Sequence, residues 1–144
     1  MSKGKDIYEV HPIKALQDNI IWVWVIRNKA IVIDPSESAS VSNWIKEKGL
    51  ELISIFQTHH HEDHIGGTRK LLQEWPNISV VASQNDLKRI PFQTISVIDK
   101  QEIIIEGYKI EILSVPGHTK HHLAFFIHGD DEKYKPALFC GDTL

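Results

Sequence analysis

Short apolar runs rich in β-branched residues alternate with amphipathic segments along most of this chain. The runs Ile20–Arg27 and Ala30–Asp34 flank Asn28-Lys29, an arrangement that predicts a β-hairpin. Residues Ser38–Lys48 place apolar side chains at helical spacing, and Gly49 follows at the position of a C-terminal cap. The chain is therefore predicted to begin with paired strands and to continue into a helix.

The same alternation continues through the rest of the sequence. Leu52–Phe56 is a continuous apolar run that predicts a buried strand, and Gly66-Gly67 open a second helix that we expect to end near Trp75. The remaining predicted elements are a strand at Ser79–Ala82, a short helix at Gln84–Arg89, and strands at Ile103–Ile105, Tyr108–Val115, Leu123–His128 and Ala137–Cys140. Since strands outnumber helices and several helices lie between strands, we expect an α/β (α+β) protein of layered sheets with helices on the outer faces.

Composition narrows the class of protein. The chain has 144 residues, 42% hydrophobic and 24% charged, which predicts one globular domain over residues 1–144. A net charge of −3 does not favour nucleic acid or an anionic membrane as partner. The longest apolar run, Ile20–Ile26, is too short for a membrane span, and the first residues lack a secretory signal. The single cysteine, Cys140, excludes an internal disulfide framework, and we expect a cytoplasmic protein.

The most informative stretch is Thr-His-His-His-Glu-Asp-His, residues 58–64, directly after the predicted buried strand. Imidazole nitrogens and carboxylate oxygens are the ligands that zinc and neighbouring divalent metals prefer. If the segment is a loop, alternate side chains project to one side, so that His59 and His61 meet one metal while Asp63 and His64 reach a second. A solvated polar loop is the alternative, and the position after a buried strand favours the metal site.

Two later stretches repeat this architecture. "VPGHT" places His118 just after Pro116-Gly117, and "FCGDTL" places Asp142 just after Gly141. In both, an apolar strand is followed by a glycine that permits close backbone approach and then by a side chain able to bind metal. Any one of these turns alone is weak evidence, but three in one chain predict a shared metal site.

The motifs THHHEDH, PGHT and CGDTL, in this order, resemble those of the metallo-β-lactamase superfamily, and specifically its glyoxalase II branch, the hydroxyacylglutathione hydrolases. The stretches "LQDNIIW" and "IVIDPSE" extend the resemblance towards the N-terminus, so that it covers nearly the whole chain. It implies an αββα sandwich with the metals at one edge between the sheets. It also implies a ligand set: His59, His61 and His118 for the first metal, Asp63 and His64 for the second, and Asp142 bridging both.

The resemblance further implies an activity. Family members hydrolyse glutathione thioesters, in particular S-D-lactoylglutathione to D-lactate and glutathione, by attack of a metal-bound hydroxide. Zn²⁺ is the expected cofactor, at up to two ions per chain, with Fe or Mn as alternatives. Asp63 is the expected catalytic residue, since it could also orient the attacking water. The expected partner is the small-molecule thioester, and the sequence identifies no substrate-binding residue.

The chain ends at Leu144, shortly after the proposed bridging Asp142, whereas the family continues with a further histidine ligand, more of the second sheet and a helical glutathione-binding region. We therefore expect a fold truncated after the strand that leads to the bridging-Asp loop, with homo-oligomer formation covering an open sheet. Two alternatives stay open at this stage: a non-catalytic metal-binding fragment, and a persulfide dioxygenase-like protein with a single iron.

Overall fold

A computed structural model describes residues 8–14, 20–58, 62–114, 123–127 and 137–139. Two helices are present in this part of the chain, α1 (Ala39–Lys48) and α2 (Glu62–Glu74), with a short 3-10 helix at Gln84–Asp86. The strands are β1 (Tyr8–Lys14), β2 (Ile20–Ile26), β3 (Lys29–Ile33), β4 (Glu51–Phe56), β5 (Ser79–Ser83), β6 (Ile95–Val97), β7 (Glu102–Ile105), β8 (Tyr108–Ser114), β9 (Leu123–Ile127) and β10 (Ala137–Phe139).

The strands form two sheets. The six-stranded sheet has the order β1-β2-β3-β4-β5-β6, in which β1, β2 and β3 pair antiparallel and β3 to β6 pair parallel. The four-stranded sheet has the order β10-β9-β8-β7 and is antiparallel. Helices α1 and α2 lie in the crossovers from β3 to β4 and from β4 to β5, as parallel neighbours require. The carboxyl ends of β3, β4, β5 and β6 consequently lie along one edge.

Two hydrophobic cores hold these layers together. On the helix side of the six-stranded sheet, Val41 and Ile45 of α1 and Leu71 of α2 are fully buried against the strands. Between the sheets lies an aromatic core, where the rings of Trp24 and Tyr108 are 5.7 Å apart and those of Phe56 and Phe125 stack at 4.6 Å. The predicted fold class, layered sheets with helices outside, is confirmed.

The local predictions agree with the structure where the sequence signals are strong. The β2–β3 hairpin forms, although its turn is Arg27-Asn28 and Lys29 already belongs to β3. Helix α1 ends at the predicted glycine: Gly49 adopts a left-handed conformation with φ of 69°. The predicted last residues of three later strands, Val115, His128 and Cys140, lie outside the described residues.

Other local predictions were wrong. Helix α2 begins at Glu62, not at Gly66, so the backbone of Asp63 and His64 is helical and does not belong to a loop. In place of the expected helix over Gln84–Arg89, the chain forms a single 3-10 turn, Gln84–Asp86. Leu87 is the C-cap residue of this turn. Strand β1 was not predicted, since its polar residues and Pro12 hide the apolar pattern; a proline is tolerated there because β1 is an edge strand. The three-residue β6 was also missed.

Among the described residues, neither helix is long and apolar enough to cross a lipid bilayer.

Candidate metal centre

The strand ends that lead to the three predicted metal-binding turns lie at the same edge of the sandwich. The first turn follows β4, whose extension reaches Thr58. The second turn is enclosed by Ser114, the last residue of β8, and Leu123, the first of β9, which pair directly. The third follows Phe139 of β10, which pairs with Phe125 in the middle of β9; because the two strands are antiparallel, β10 ends towards the start of β9.

A backbone hydrogen bond joins the two sheets at this edge. The N–H of Leu123 donates to the carbonyl oxygen of Thr58 at 2.8 Å. Thr58 directly precedes the histidine motif, and Leu123 directly follows the stretch that contains His118. The described ends of the first and second turns are therefore fixed within hydrogen-bonding distance of each other.

Asp34, at the end of β3, holds the start of the histidine motif. Its Oδ1 accepts the backbone N–H of Thr58 at 2.7 Å, and its Oδ2 accepts the Thr58 hydroxyl at 2.6 Å. Asp34 also donates its own N–H to Phe56 O at 2.9 Å, which continues the pairing of β3 with β4. It adopts a left-handed backbone with φ of 51°, a conformation that aspartate and asparagine tolerate better than other non-glycine residues. Both side chains are buried, so water does not compete for these hydrogen bonds.

Helix α2 packs directly on the loop after β3. The N–H of Gly67 donates to Pro35 O at 3.0 Å. A Cβ atom at position 67 would lie 2.5 Å from the carbonyl carbon of Glu37 and 2.8 Å from Pro35 O, closer than a real Cβ approaches. Glycine is thus required here because the helix and the loop backbone are in contact.

A side-chain hydrogen bond joins the end of β4 to the same helix. Nε2 of Gln57 donates to Oγ1 of Thr68, and both residues are buried. The backbone N–H of Gln57 donates to Val81 O at 2.9 Å, which keeps β4 in register with β5. The other side-chain atom, Oε1 of Gln57, is buried and accepts no hydrogen bond in the described part of the chain.

The side chains of the six predicted ligands all lie beyond what the structure describes. His59, His61, His118 and Asp142 lie outside the described residues, and for Asp63 and His64 only the helical backbone is described. Among the described side chains, no group of three or more histidine, cysteine or acidic residues could hold a metal. The ligand set therefore stays a prediction.

The donor chemistry of the adjacent sequence segment is of the kind that divalent metals prefer. Gln57 Oε1, a buried acceptor with no hydrogen-bond partner among the described residues, lies directly before a segment rich in imidazole and carboxylate groups. Buried polar atoms in native proteins are normally paired, so an unpaired one beside such a segment is consistent with a centre that supplies a donor.

Among the described side chains, one carboxyl group has a clearly shifted pKa, and it lies near the end of α2, away from this edge. The pKa of Glu74 is lowered from its usual value by hydrogen bonds from Lys46 and from the Ser42 hydroxyl. Lys46 and Ser42 belong to α1, so this interaction joins the two helices. It therefore contributes to the stability of the helix pair.

Sequence reasoning missed the residues that support the motif. Asp34 was predicted only as the last residue of an apolar run, and Gln57, Gly67 and Thr68 were assigned no supporting role. Asp34 and Thr58 lie 24 positions apart, so their contact depends on β3 and β4 being neighbours in the sheet. The one sequence signal was that "IVIDPSE" matched a family motif.

Comparison with known proteins gives a consistent result. The sequence profile of the metallo-beta-lactamase superfamily matches residues 14–144. Two proteins named hydroxyacylglutathione hydrolase, from two strains of Prochlorococcus marinus, are 54% and 46% identical over the full chain; the chain spans 57% of the length of each. Among solved structures, the BLEG-1 B3 metallo-beta-lactamase superposes with a TM-score of 0.73 at 16% identity, over 83% of this chain and 67% of that one. A class B3 di-zinc metallo-beta-lactamase from an Alaskan soil metagenome superposes with a TM-score of 0.69 at 18% identity, over 83% and 54%.

Proposed function

Because the chain belongs to the metallo-beta-lactamase superfamily, we propose that it carries the metal centre of a hydrolase that cleaves glutathione thioesters. The observation that carries this proposal is the similarity of the whole chain to proteins named hydroxyacylglutathione hydrolase. The proposed reaction converts S-D-lactoylglutathione to D-lactate and glutathione.

The proposed ligands follow β4, β8 and β10 at this edge of the sandwich, and two of them belong to the first turn of α2. They are His59, His61 and His118 for one metal, Asp63 and His64 for a second, and Asp142 as the bridge. Imidazole and carboxylate donors suit Zn²⁺, and also suit iron or manganese. The convergence of the described strand ends supports this assignment.

The chain's own residues would position the reaction. When bound, a divalent metal supplies a Lewis acid for the thioester carbonyl and a water that loses its proton near neutral pH. Asp63 is proposed to orient the attacking water. Asp34 keeps Thr58, and with it the start of the histidine motif, in one conformation through two buried hydrogen bonds. The glutathione sulfur departs as a thiolate, which needs no general acid because a thiol has a pKa of about 8.5.

The test combines elemental analysis with a thioesterase assay on one preparation of the chain. Samples loaded separately with Zn²⁺, Fe²⁺ and Mn²⁺ are assayed for loss of the S-D-lactoylglutathione thioester absorbance. His59→Ala is expected to lose bound metal and turnover. His11→Ala is the matched control, since His11 lies on β1 beside Glu9 and Trp44, outside the proposed centre.

Turnover that depends on His59 and not on His11 would support a thioester hydrolase. A chain with full metal occupancy and no hydrolysis of the thioester would reject the proposed reaction while leaving a metal-binding role. A single iron per chain, without thioesterase activity, would favour the dioxygenase-like alternative.

A further inference from the structure

Two apolar side chains at the start of β2 are exposed on the face of the six-stranded sheet that looks towards the four-stranded sheet. Further along the same strand, Trp24 packs in the core between the sheets. Side chains two positions apart on a strand share a face, so Trp22 and Ile20 also point towards the second sheet. Trp24 is fully buried, but Trp22 is 38% exposed and Ile20 is 55% exposed. The cover by the second sheet therefore ends between Trp24 and Trp22, and leaves an apolar patch of Trp22 and Ile20.

The strand register places this patch at the edge where the histidine motif begins. Trp22 pairs with Ile33 of β3, and Ile33 pairs with Phe56 of β4, so these residues form one row across the sheet. Neighbouring strands are about 4.8 Å apart, which puts the backbones of Trp22 and Phe56 about 10 Å apart. Phe56 lies two residues before Thr58. A molecule of the size of a glutathione thioester, bound at the end of β4, can therefore reach Trp22.

A lysine lies beside the patch. Lys14 pairs directly with Ile20 in the β1–β2 ladder, and residues directly opposite each other in a ladder share a face. Lys14 is exposed, so its ammonium group gives this end of the patch a positive charge, in a chain whose net charge is −3. An apolar surface next to a cation suits an anionic ligand with an apolar group. A glutathione thioester is anionic, since its two carboxylates outnumber its one ammonium group.

We propose that Trp22 and Ile20 bind the acyl group of the substrate, and that they favour glutathione thioesters whose acyl group is larger and more apolar than lactoyl. This inference rests on the proposed function and adds the class of acyl group to it. Apolar patches that stay exposed commonly mark ligand-binding surfaces. An indole ring and an isoleucine side chain can bury an aromatic or alkyl group, whereas the small, polar lactoyl group covers little of their surface. Lys14 attracts the anionic thioester and does not select its acyl group.

The test measures the dissociation constants of two thioesters with the full chain by isothermal titration calorimetry. The probes are S-D-lactoylglutathione and S-D-mandeloylglutathione, which carries a phenyl ring in place of the lactoyl methyl group. Metal is removed beforehand, so that the proposed hydrolysis does not consume the probes and binding is measured apart from catalysis. We expect the mandeloyl thioester to bind about 10-fold more tightly, because its ring buries additional apolar surface against Trp22 and Ile20.

Matched variants identify the residues responsible for this preference. Trp22→Thr and Ile20→Thr keep a residue that is favourable in strands and remove the apolar patch. We expect Trp22→Thr to reduce the preference from about 10-fold to about 2-fold, and Ile20→Thr to reduce it less. Ile104→Thr is the control, because Ile104 is also an exposed strand residue opposite a lysine, Lys109. Its neighbours on β7 pack in the core between the sheets, so Ile104 itself points away from that core and its replacement should leave the preference unchanged.

The role of Lys14 has its own pair of variants. Lys14→Gln should weaken the binding of both thioesters by the same factor, about 2-fold to 5-fold, and leave the preference between them unchanged. Lys109→Gln removes the matched lysine beside Ile104 and should change neither dissociation constant. Equal weakening by the two replacements would overturn the role given to Lys14.

The inference is overturned if the wild-type chain binds neither thioester or binds both equally. It is also overturned if the preference survives in Trp22→Thr and Ile20→Thr, or falls as much in Ile104→Thr. Should Trp22→Thr not fold, Ile20→Thr decides by the same criterion, because its side chain is the more exposed of the two. Selective binding through Trp22 without hydrolysis after metal is restored would refute the proposed function alone. Hydrolysis of both thioesters without a preference in binding would refute this inference alone.

Discussion

Replacement of Asp34 by asparagine should measure how strongly the end of β3 holds the histidine motif. Asparagine tolerates the left-handed backbone at this position, so the change isolates the charge and the acceptor atoms. Its oxygen can still accept the Thr58 N–H, and its NH₂ group can donate to the Thr58 hydroxyl after that hydroxyl rotates. Two charge-assisted hydrogen bonds thereby become two neutral ones, at a cost of about 1 kcal/mol each. We expect the free energy of unfolding to fall by about 2 kcal/mol.

The matched control is Asp99→Asn. The Oδ1 of Asp99 also accepts a backbone N–H, that of Ser114, at the same 2.7 Å, but Asp99 is exposed. Water can replace that hydrogen bond, so the expected cost is about 0.5 kcal/mol or less. Urea unfolding of the metal-free chain, followed by tryptophan fluorescence, gives both values without a contribution from bound metal. Equal losses for the two variants would show that burial of the Asp34 carboxylate does not strengthen its hold on Thr58.

Two other predictions concern helix packing. Gly67→Ala should lower the free energy of unfolding by about 1 to 3 kcal/mol, because its Cβ would meet the Glu37 backbone. Gly49→Ala adds a Cβ in open space and should cost about 1 kcal/mol, because of its left-handed φ. If urea unfolding ranked the two variants in the opposite order, the steric argument would be contradicted. Glu74 has a pKa lowered by Lys46 and the Ser42 hydroxyl, so its stabilising effect should be fully present above its usual value of 4.5 and disappear as the pH falls through its lowered pKa. Glu74→Gln should therefore be less stable than wild type at neutral pH and equal to it in acid, and a difference in melting temperature that is independent of pH would be evidence against this linkage.

The sequence was sufficient where a local pattern determines a local structure. The β2–β3 hairpin and the helix ending at Gly49 follow from apolar spacing and a single glycine. The start of α2 was misplaced because the residues from Glu62 to Gly66 carry no apolar periodicity, so nothing in their pattern distinguishes a helical turn from a loop. Strand β1 was missed for a related reason: an edge strand can include polar residues and a proline.

The candidate site shows the same division. The motif itself was visible because its histidines are adjacent in the sequence. The residues that hold the motif in place could not be found from the sequence. The contact of Asp34 with Thr58 requires β3 and β4 to be neighbours in the sheet. The contact of Gln57 with Thr68 requires α2 to fold back over β4. Hydropathy patterns do not report the order of strands in a sheet, so contacts between distant segments need the three-dimensional structure.

The hydrogen bond from Leu123 to Thr58 involves only main-chain atoms, so the one side-chain replacement that deletes it directly is proline at position 123. A protein that keeps this hydrogen bond can exchange the neighbouring side chains without changing the distance between the starts of the two turns. Divergence at this edge would then change the identity of the donor atoms more readily than their spacing. For the proposed metal centre, this would allow ion preference to change by few replacements, with the sandwich left intact.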